Sequence, residues 1–184
     1  ALSRASLTKS GRKKVYMISF EDVEKFNRKQ RQNTFFAAMA TTTFVLILFI
    51  YAFLSPSKVM GDSMNPTLEN GDIVFSLSPK LKQYERGDIV TIDSVSAGKN
   101  IIKRIIGIGG DTIRIETGRV YVNGALLKED YINLWEAEIE PMEVEVPKGY
   151  IFVLGDNRDV SRDSRELGCI SEAEISRIYL FSIR

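Results

Sequence analysis

The 184-residue chain is long enough for one modest folded domain beside an apolar segment, and its formal net charge of +1 favours neither a nucleic-acid partner nor an acidic substrate. It has one cysteine, Cys169, and no histidine. This composition excludes an intrachain disulfide, a Ser-His-Asp triad, the HExxH metalloprotease pattern and a histidine phosphorelay. Because no Cys/His cluster exists for zinc, we expect no metal and no other cofactor, and Cys169 is expected to be buried and unreactive.

An uncharged segment, FFAAMATTTFVLILFIYAFL, occupies residues 35–54. A membrane-spanning helix needs ~20 residues at 1.5 Å rise each. No polar face recurs at helical spacing, so the segment predicts a transmembrane helix. A buried globular helix is one alternative. A cleaved signal peptide is the other, although its apolar region is usually shorter and nearer the N-terminus.

Positive charge orients this predicted helix. Residues 1–34 are rich in Lys and Arg up to Arg31, whereas SPSKVMGDS beyond the segment offers only Lys58. The positive-inside rule then leaves residues 1–34 in the cytoplasm as a basic arm, with a possible juxtamembrane helix over residues 20–32, and exports residues 55–184. We therefore expect a single-pass protein of the cell membrane. Contact of the arm with anionic lipid or a partner remains an open alternative to a purely topogenic role.

After residue 55 the pattern changes to short runs of Val, Ile, Tyr and Phe between Gly, Asp and Asn, which predicts a mostly β domain. The runs are DIVFSL, GDIVTIDSV, KNIIKRIIGI, DTIRIETGRVYVNGALL and YIFVLGD. Asn123-Gly124 is the preferred two-residue hairpin turn. Residues 125–147 are more acidic and less regular, and they are predicted to be a small insert. Near the end, Ser171 with Glu174 three residues later indicates a capped turn before a final strand.

The stretch MGDSMNPTL, residues 60–68, places Ser63 in a polar turn shortly after the apolar segment. A nucleophilic serine needs a base, and no histidine is available. A carboxylate is too weak a base for this step, whereas a neutral lysine amine is strong enough. The ordinary lysine pKa of ~10.4 must then be lowered, and burial can lower it by up to ~3 to 5 units. The side chains just after Ser63 either contact the bilayer or pack beneath the site.

Lys103 is the lysine that meets this requirement. In NIIKRIIGIGGD it lies between two pairs of isoleucines in a predicted strand, with Arg104 on the opposite face. Taken alone, such a Lys-Arg pair is more typical of a strand at the surface or edge of a sheet. The residues by themselves therefore leave both interpretations of Lys103 open.

A third polar stretch, LGDNRDVSRDSRELG, follows the apolar strand YIFVL. A solvated turn or a calcium-binding loop is the alternative interpretation. Asp156, Asp159 and Asp163 supply fewer alternating carboxylates than a calcium loop needs. Because a rigid strand leads into this stretch, it is a candidate for part of a functional site.

Together these stretches resemble the bacterial type I signal peptidases, membrane-anchored serine proteases with a Ser-Lys dyad, and most closely the single-span Gram-positive form. GDSMNPTL resembles the nucleophile box, GDIV at 71–74 and again at 87–90 the following box, KRIIGIGGD the lysine box and GDNRDVSRDSR the last box. The resemblance implies an antiparallel β catalytic domain of the signal peptidase/LexA type behind one N-terminal transmembrane helix. It also implies that the substrates are signal peptides of exported preproteins. The expected partners are these peptides and the lipid bilayer, with the protein-export machinery as a further candidate.

The resemblance also assigns roles to residues. It makes Ser63 the nucleophile and Lys103 the general base, has Ser161 hydrogen-bond the lysine amine, and has Asp163 and Arg165 brace the site. Two further residues inside the matched boxes, Arg104 and Asp156, are expected to support it. Gly61 stands where some family members have a serine that donates to the oxyanion, so backbone N–H groups must serve here, and loss of one donor can cost ~10²-fold or more.

Two other functions stay open at this point. A self-cleaving regulator of the LexA type also uses a Ser-Lys pair, but residues 1–34 show no helix-turn-helix. A catalytically inactive, membrane-tethered β module that binds extended peptides is the second alternative.

Overall fold

A computed structural model describes residues 3–7, 13–17, 19–94, 98–133 and 140–184. The remainder of the predicted basic arm and of the predicted insert, including residues 134–139, lies outside the described residues. The chain forms two compact units, Ala1–Tyr51 and Ala52–Arg184.

The first unit contains an antiparallel hairpin and most of one long helix. Strands β1 (Ser3–Leu7) and β2 (Lys13–Met17) pair with each other, and α1 comprises Phe20–Phe53. Ser19 caps α1, since its hydroxyl accepts from the N–H of Asp22 and the Asp22 carboxylate accepts from the N–H of Ser19. The hairpin was not predicted. The helix is longer than either predicted piece because no Gly or Pro interrupts residues 20–53.

Helix α1 covers nearly all of the segment predicted to span a membrane. Its large apolar side chains are exposed at Phe35, Phe36, Met39, Phe44, Val45, Leu46, Ile47, Leu48 and Ile50. Within the part of the chain that the structure describes, however, no helix combines the length and apolar character required of a membrane span. The predicted transmembrane helix is therefore not confirmed.

The second unit is built from two antiparallel sheets. A seven-stranded sheet has the order β12-β11-β6-β5-β13-β4-β3, and a four-stranded sheet has the order β10-β7-β8-β9. The strands are β3 (Leu54–Lys58), β4 (Ile73–Leu77), β5 (Ile89–Ser94), β6 (Lys99–Ile108), β7 (Thr112–Glu116), β8 (Arg119–Val122), β9 (Ala125–Leu126), β10 (Met142–Glu145), β11 (Tyr150–Leu154), β12 (Ile170–Ser171) and β13 (Ile175–Ile183). The prediction of a mostly β, antiparallel fold is confirmed.

Local sequence signals account for the turns of this unit. Asn123 and Gly124 both have positive φ, +53° and +81°, in the two-residue turn that joins β8 to β9. Ser171 caps a short 3-10 helix, Glu172–Glu174, by accepting from the N–H of Ala173. Asp163 caps α2 (Ser164–Leu167), a short helix within the last polar stretch.

The large core lies around the centre of the seven-stranded sheet. It contains Val90 and Ile92 from β5, with Ile101 and Ile105 from β6. Strand β6 pairs with β5 from Lys99 to Arg104 and with β11 from Arg104 to Ile108. This strand therefore carries Lys103 at the centre of the domain, where two neighbouring strands hold its backbone.

Candidate active site

The Ser63 loop is fixed from below by its own apolar residues. Met64 and Leu68 are fully buried and belong to a core cluster with Val59 and Val74. Their burial shows that Met64 and Leu68 pack beneath the loop, whereas Pro66 in the same segment is exposed. The carbonyl oxygen of Ser63 also accepts a 3.0 Å hydrogen bond from the N–H of Asn157, in the last polar stretch.

The Lys103 amine meets the Ser63 hydroxyl. Lys103 Nζ lies 2.6 Å from Ser63 Oγ and donates to the carbonyl of Ile102 at 2.9 Å. Lys103 is only 3% exposed, and its neighbours two residues away on β6, Ile101 and Ile105, are buried in the large core. The expectation of a lysine embedded in apolar strand is thus met. The amine and the hydroxyl are close enough for direct proton transfer.

Arg104 points away from Lys103 and holds Asp156. Its guanidinium donates to both carboxylate oxygens of Asp156, at 2.8 and 2.6 Å, and to the carbonyl of Gly87 at 2.9 Å. Thr67 donates to the same carboxylate, so the Ser63 loop, β6 and the last polar stretch meet at Asp156. Burial of the guanidinium by itself lowers the pKa of Arg104. The hydrogen bond to Asp156 and the charge of that carboxylate raise the pKa by more, so it lies above its ordinary value.

Asp163 and Arg165 brace the last polar stretch. The fully buried Asp163 carboxylate accepts from the N–H of Gly155 at 3.0 Å and from the Arg165 guanidinium at 2.8 and 2.9 Å. Arg165 in turn donates to the carbonyl oxygens of Arg158 and Ser161. These contacts fold residues 155–165 into a closed, charge-assisted loop against β11.

Ser161 lies beside the nucleophile but does not make the expected hydrogen bond. Its buried hydroxyl has no hydrogen-bond partner within the described residues. The bond that the resemblance implies between Ser161 and the lysine amine is therefore absent from this structure, in which Lys103 instead bonds Ser63 and the carbonyl of Ile102. Ser161 is nevertheless close: a Cβ placed on Gly155 would meet both Ser161 Oγ, at 2.1 Å, and the carbonyl oxygen of Ser63, at 2.5 Å.

Gly61 has a structural reason to be glycine. Its φ of +94° lies in the region that side chains disfavour. Its N–H donates to the side chain of Asn70 at 3.2 Å. In the described part of the chain, the N–H of Ser63 donates to no other group, whereas the N–H of Gly61 is already engaged.

Two residues that contact the arginines of the site, Glu129 and Tyr131 in the predicted insert, were not predicted from the sequence. Arg158 donates to the Glu129 carboxylate from both terminal nitrogens, and Tyr131 donates to it at 3.0 Å. The Arg104 guanidinium carbon lies 3.9 Å from the centre of the Tyr131 ring. Burial raises the pKa of Tyr131, and the Glu129 carboxylate raises it further, so the hydroxyl stays protonated. Single acidic and aromatic residues in an irregular segment carry no spacing signal.

A serine hydroxyl against a buried lysine amine is the constellation of serine hydrolases that use a Ser-Lys pair instead of a triad. No group of three or more metal-ligating side chains comes together in the ranges that the structure describes. The family model described as "Signal peptidase, peptidase S26" matches residues 32–179. The chain belongs to this family.

Individual relatives agree with the family match. Signal peptidase I of Bacillus licheniformis is 39% identical over 145 residues, which cover 72% of this chain and 78% of that protein. Signal peptidase I T of Bacillus subtilis (strain 168) is 33% identical over 162 residues, 80% of this chain and 84% of the relative. A crystal structure of a signal peptidase I from Enterococcus faecalis V583 aligns with 33% identity and a TM-score of 0.48, over 53% of this chain and 97% of that chain.

Proposed function

We propose that this chain is a serine endopeptidase that removes signal peptides from exported preproteins, with Ser63 as nucleophile and Lys103 as general base. The observation that carries the proposal is the 2.6 Å contact between Lys103 Nζ and Ser63 Oγ at a lysine that is almost completely buried. The family membership and the relatives named signal peptidase I support the reaction class.

The chemistry follows from this contact. The neutral amine takes the Ser63 proton while Oγ bonds to the carbonyl carbon of the substrate, and the resulting ammonium then gives that proton to the leaving amine as the peptide bond breaks. Water next attacks the acyl-enzyme ester, with the amine again accepting a proton and returning it to Ser63 Oγ. The products are a carboxylate and a free amine, and the dyad is regenerated.

The N–H of Ser63 is the oxyanion donor that the geometry supports. It has no competing acceptor among the described residues, whereas the N–H of Gly61 already donates to Asn70. A backbone donor aimed at the developing oxyanion contributes by pre-organisation, because it needs no reorientation during the reaction.

The substrate is proposed to bind as an extended strand on β6. Strand β11 pairs with β6 only from Arg104 onward, so within the described residues the stretch from Lys99 to Ile102 pairs only with β5. Main-chain hydrogen bonds to this free edge would deliver the scissile carbonyl to Ser63. Alternate side chains of a strand face the same way, so shallow pockets on that side would accept small residues at alternate positions, as in A-x-A cleavage sites.

The proposal includes a membrane anchor with the catalytic unit on the outer face. No charged residue occurs from Gln32 to Ser57, and the apolar side chains of α1 in this stretch are exposed on the described part of the helix. Thr41 and Thr42 donate their hydroxyl protons to carbonyls four residues earlier, so these polar groups are satisfied within the helix. Anchoring would place the enzyme where preproteins emerge, beside the bilayer and near the export machinery.

The direct test is cleavage of a preprotein with an A-x-A site by the full chain in detergent, wild type against Ser63→Ala. We expect a single cut by the wild type and none by the variant, with equal unfolding midpoints because little volume changes. Turnover by Ser63→Ala would remove Ser63 from the mechanism.

The same preparation separates the two alternative functions. A self-cleaving regulator would cut itself when incubated alone. An inactive peptide-binding module would neither cut the preprotein nor react at Ser63 with an acylating inhibitor. The proposal requires stability on incubation alone together with acylation at Ser63.

A further inference from the structure

Residues 128–131, which follow β9 of the four-stranded sheet, reach across to the catalytic loops of the seven-stranded sheet. Within this short segment the charged side chains differ sharply in their surroundings. Lys128 and Asp130 form an ion pair in solvent, with side chains 84% and 74% exposed, whereas the Glu129 side chain is 7% exposed. A carboxylate this deeply buried requires a specific partner.

That partner is Arg158, whose side chain is 1% exposed. Arg158 contacts Glu129 through its two terminal nitrogens and donates from Nε to the carbonyl of Gly155 at 2.9 Å. Gly155 packs against both Ser161 and the carbonyl of Ser63. Glu129 is thus connected to the backbone of the nucleophile through two intermediate residues, Arg158 and Gly155.

Tyr131 makes the second connection, toward the strand of the lysine. Its ring covers the face of the Arg104 guanidinium, and its hydroxyl donates to Glu129 at 3.0 Å. Arg104 is the immediate neighbour of Lys103 on β6 and holds Asp156 through two hydrogen bonds. A ring over the guanidinium excludes water and strengthens the ion pair beneath it.

We propose that Glu129 and Tyr131 are positioning residues of the peptidase, which together hold Arg158 and Arg104 so that the Ser63 backbone and the Lys103 strand keep their relative placement during catalysis. This inference rests on the proposed function of Ser63 and Lys103. The segment that follows β9 thereby serves the reaction by holding the two arginines.

The test measures kcat and KM of the full chain in detergent on a fluorogenic peptide with an A-x-A site, with active sites counted by an acylating inhibitor. Glu129→Gln should lower kcat per active site about tenfold with KM within about twofold of wild type, because the reacting groups are displaced while the binding edge of β6 is not. Asp130→Asn, one residue away in solvent, is the matched control and should equal wild type. A Glu129→Gln kcat equal to that of Asp130→Asn would overturn the proposal.

A pair of substitutions at Tyr131 keeps the test decisive if Glu129→Gln fails to fold. Tyr131→Phe keeps the ring over Arg104 and should stay within about threefold of wild type in kcat, whereas Tyr131→Leu should lose about tenfold. Equal kcat values for the two variants would contradict the role of the ring. The wild type and Ser63→Ala are assayed alongside. If the proposed function is wrong, these two proteins will have the same kcat. If only the positioning role is wrong, the wild type will still be active and Ser63→Ala inactive.

Discussion

At the scale of single residues, replacing Lys103 separates its chemistry from its packing. Lys103→Arg keeps a positive charge that cannot give up its proton, so kcat should fall at least about 10³-fold. Lys103→Met removes the buried amine and should be equally inactive, with an unfolding midpoint at or above that of wild type because no amine is desolvated on folding. Lys80→Arg on the exposed surface is the control. An active Lys103→Met would exclude the lysine as base.

At Gly155 the addition of a single methyl group should lower the catalytic rate strongly. The new methyl of Gly155→Ala would lie 2.5 Å from the carbonyl oxygen of Ser63, so the nucleophile must shift. Misplacement on this scale costs about 10²-fold in kcat. Gly110→Ala is the matched control, since its methyl meets open space but its φ of +97° is strained. We expect Gly110→Ala to lower the unfolding midpoint and leave kcat unchanged, whereas Gly155→Ala should lower kcat.

The residues that sequence reasoning identified are those that a reaction specifies by chemical type. Ser63 and Lys103 were candidates for a nucleophile and a base in a chain without histidine, the family resemblance selected them, and the structure brings them together. The hydroxyl of Ser161 was assigned by resemblance and makes no such bond here. Glu129 could not be found, because its importance comes from the long-range approach of Arg158 and not from any local pattern.

At the scale of elements, Asp111 stabilises the turn between β6 and β7 in a pH-dependent way. Burial by itself raises the pKa of Asp111. Hydrogen bonds from Arg86, the N–H of Ile108 and the Asn123 side chain lower it by more, so the pKa lies below its ordinary value. A lowered folded-state pKa gives stability that is complete above the ordinary Asp pKa of about 4 and is lost as the pH falls through the folded value.

Asp111→Asn should therefore cost about 1 to 3 kcal/mol of unfolding free energy at pH 7, since Arg86 loses its charged partner. The difference from wild type should shrink as the pH falls well below about 4, where the wild-type carboxylate is also neutral. Urea unfolding across this range measures both values, with the exposed Asp130→Asn as control. A difference that is constant with pH would show that the charge of Asp111 contributes nothing.

The strands that could be predicted are those with alternating or continuous β-branched residues, such as β6 and β7. Strand β3 (Leu54–Lys58) lacks that signature and contains Pro56, which an edge strand tolerates because one side of its backbone needs no partner. The hairpin of β1 and β2 (SRASL and KKVYM) has apolar residues without regular alternation, so it has no strand pattern to recognise. Pairing across long sequence distances, as between β4 and β13, is what a local pattern cannot supply.

At the scale of the whole molecule, the proposed topology predicts that residues before and after the apolar stretch lie on opposite sides of a membrane. Cys169 is the single cysteine, so a Cys169→Ser background can report on one introduced thiol at a time. Lys29 and Lys80 are both exposed, the first within α1 before the apolar stretch and the second between β4 and β5. Lys29→Cys and Lys80→Cys therefore form a matched pair.

In intact cells, a membrane-impermeant maleimide should label Lys80→Cys fully and Lys29→Cys only after permeabilisation, with both proteins in the membrane fraction. The reason is that the basic residues before the apolar stretch hold that side in the cytoplasm, while the catalytic unit must meet preproteins that have crossed. The Cys169→Ser parent should stay unlabelled in both conditions. Equal labelling of the two thiols in intact cells, or recovery of the chain in the soluble fraction, would contradict an anchor at α1 without bearing on the chemistry of Ser63 and Lys103.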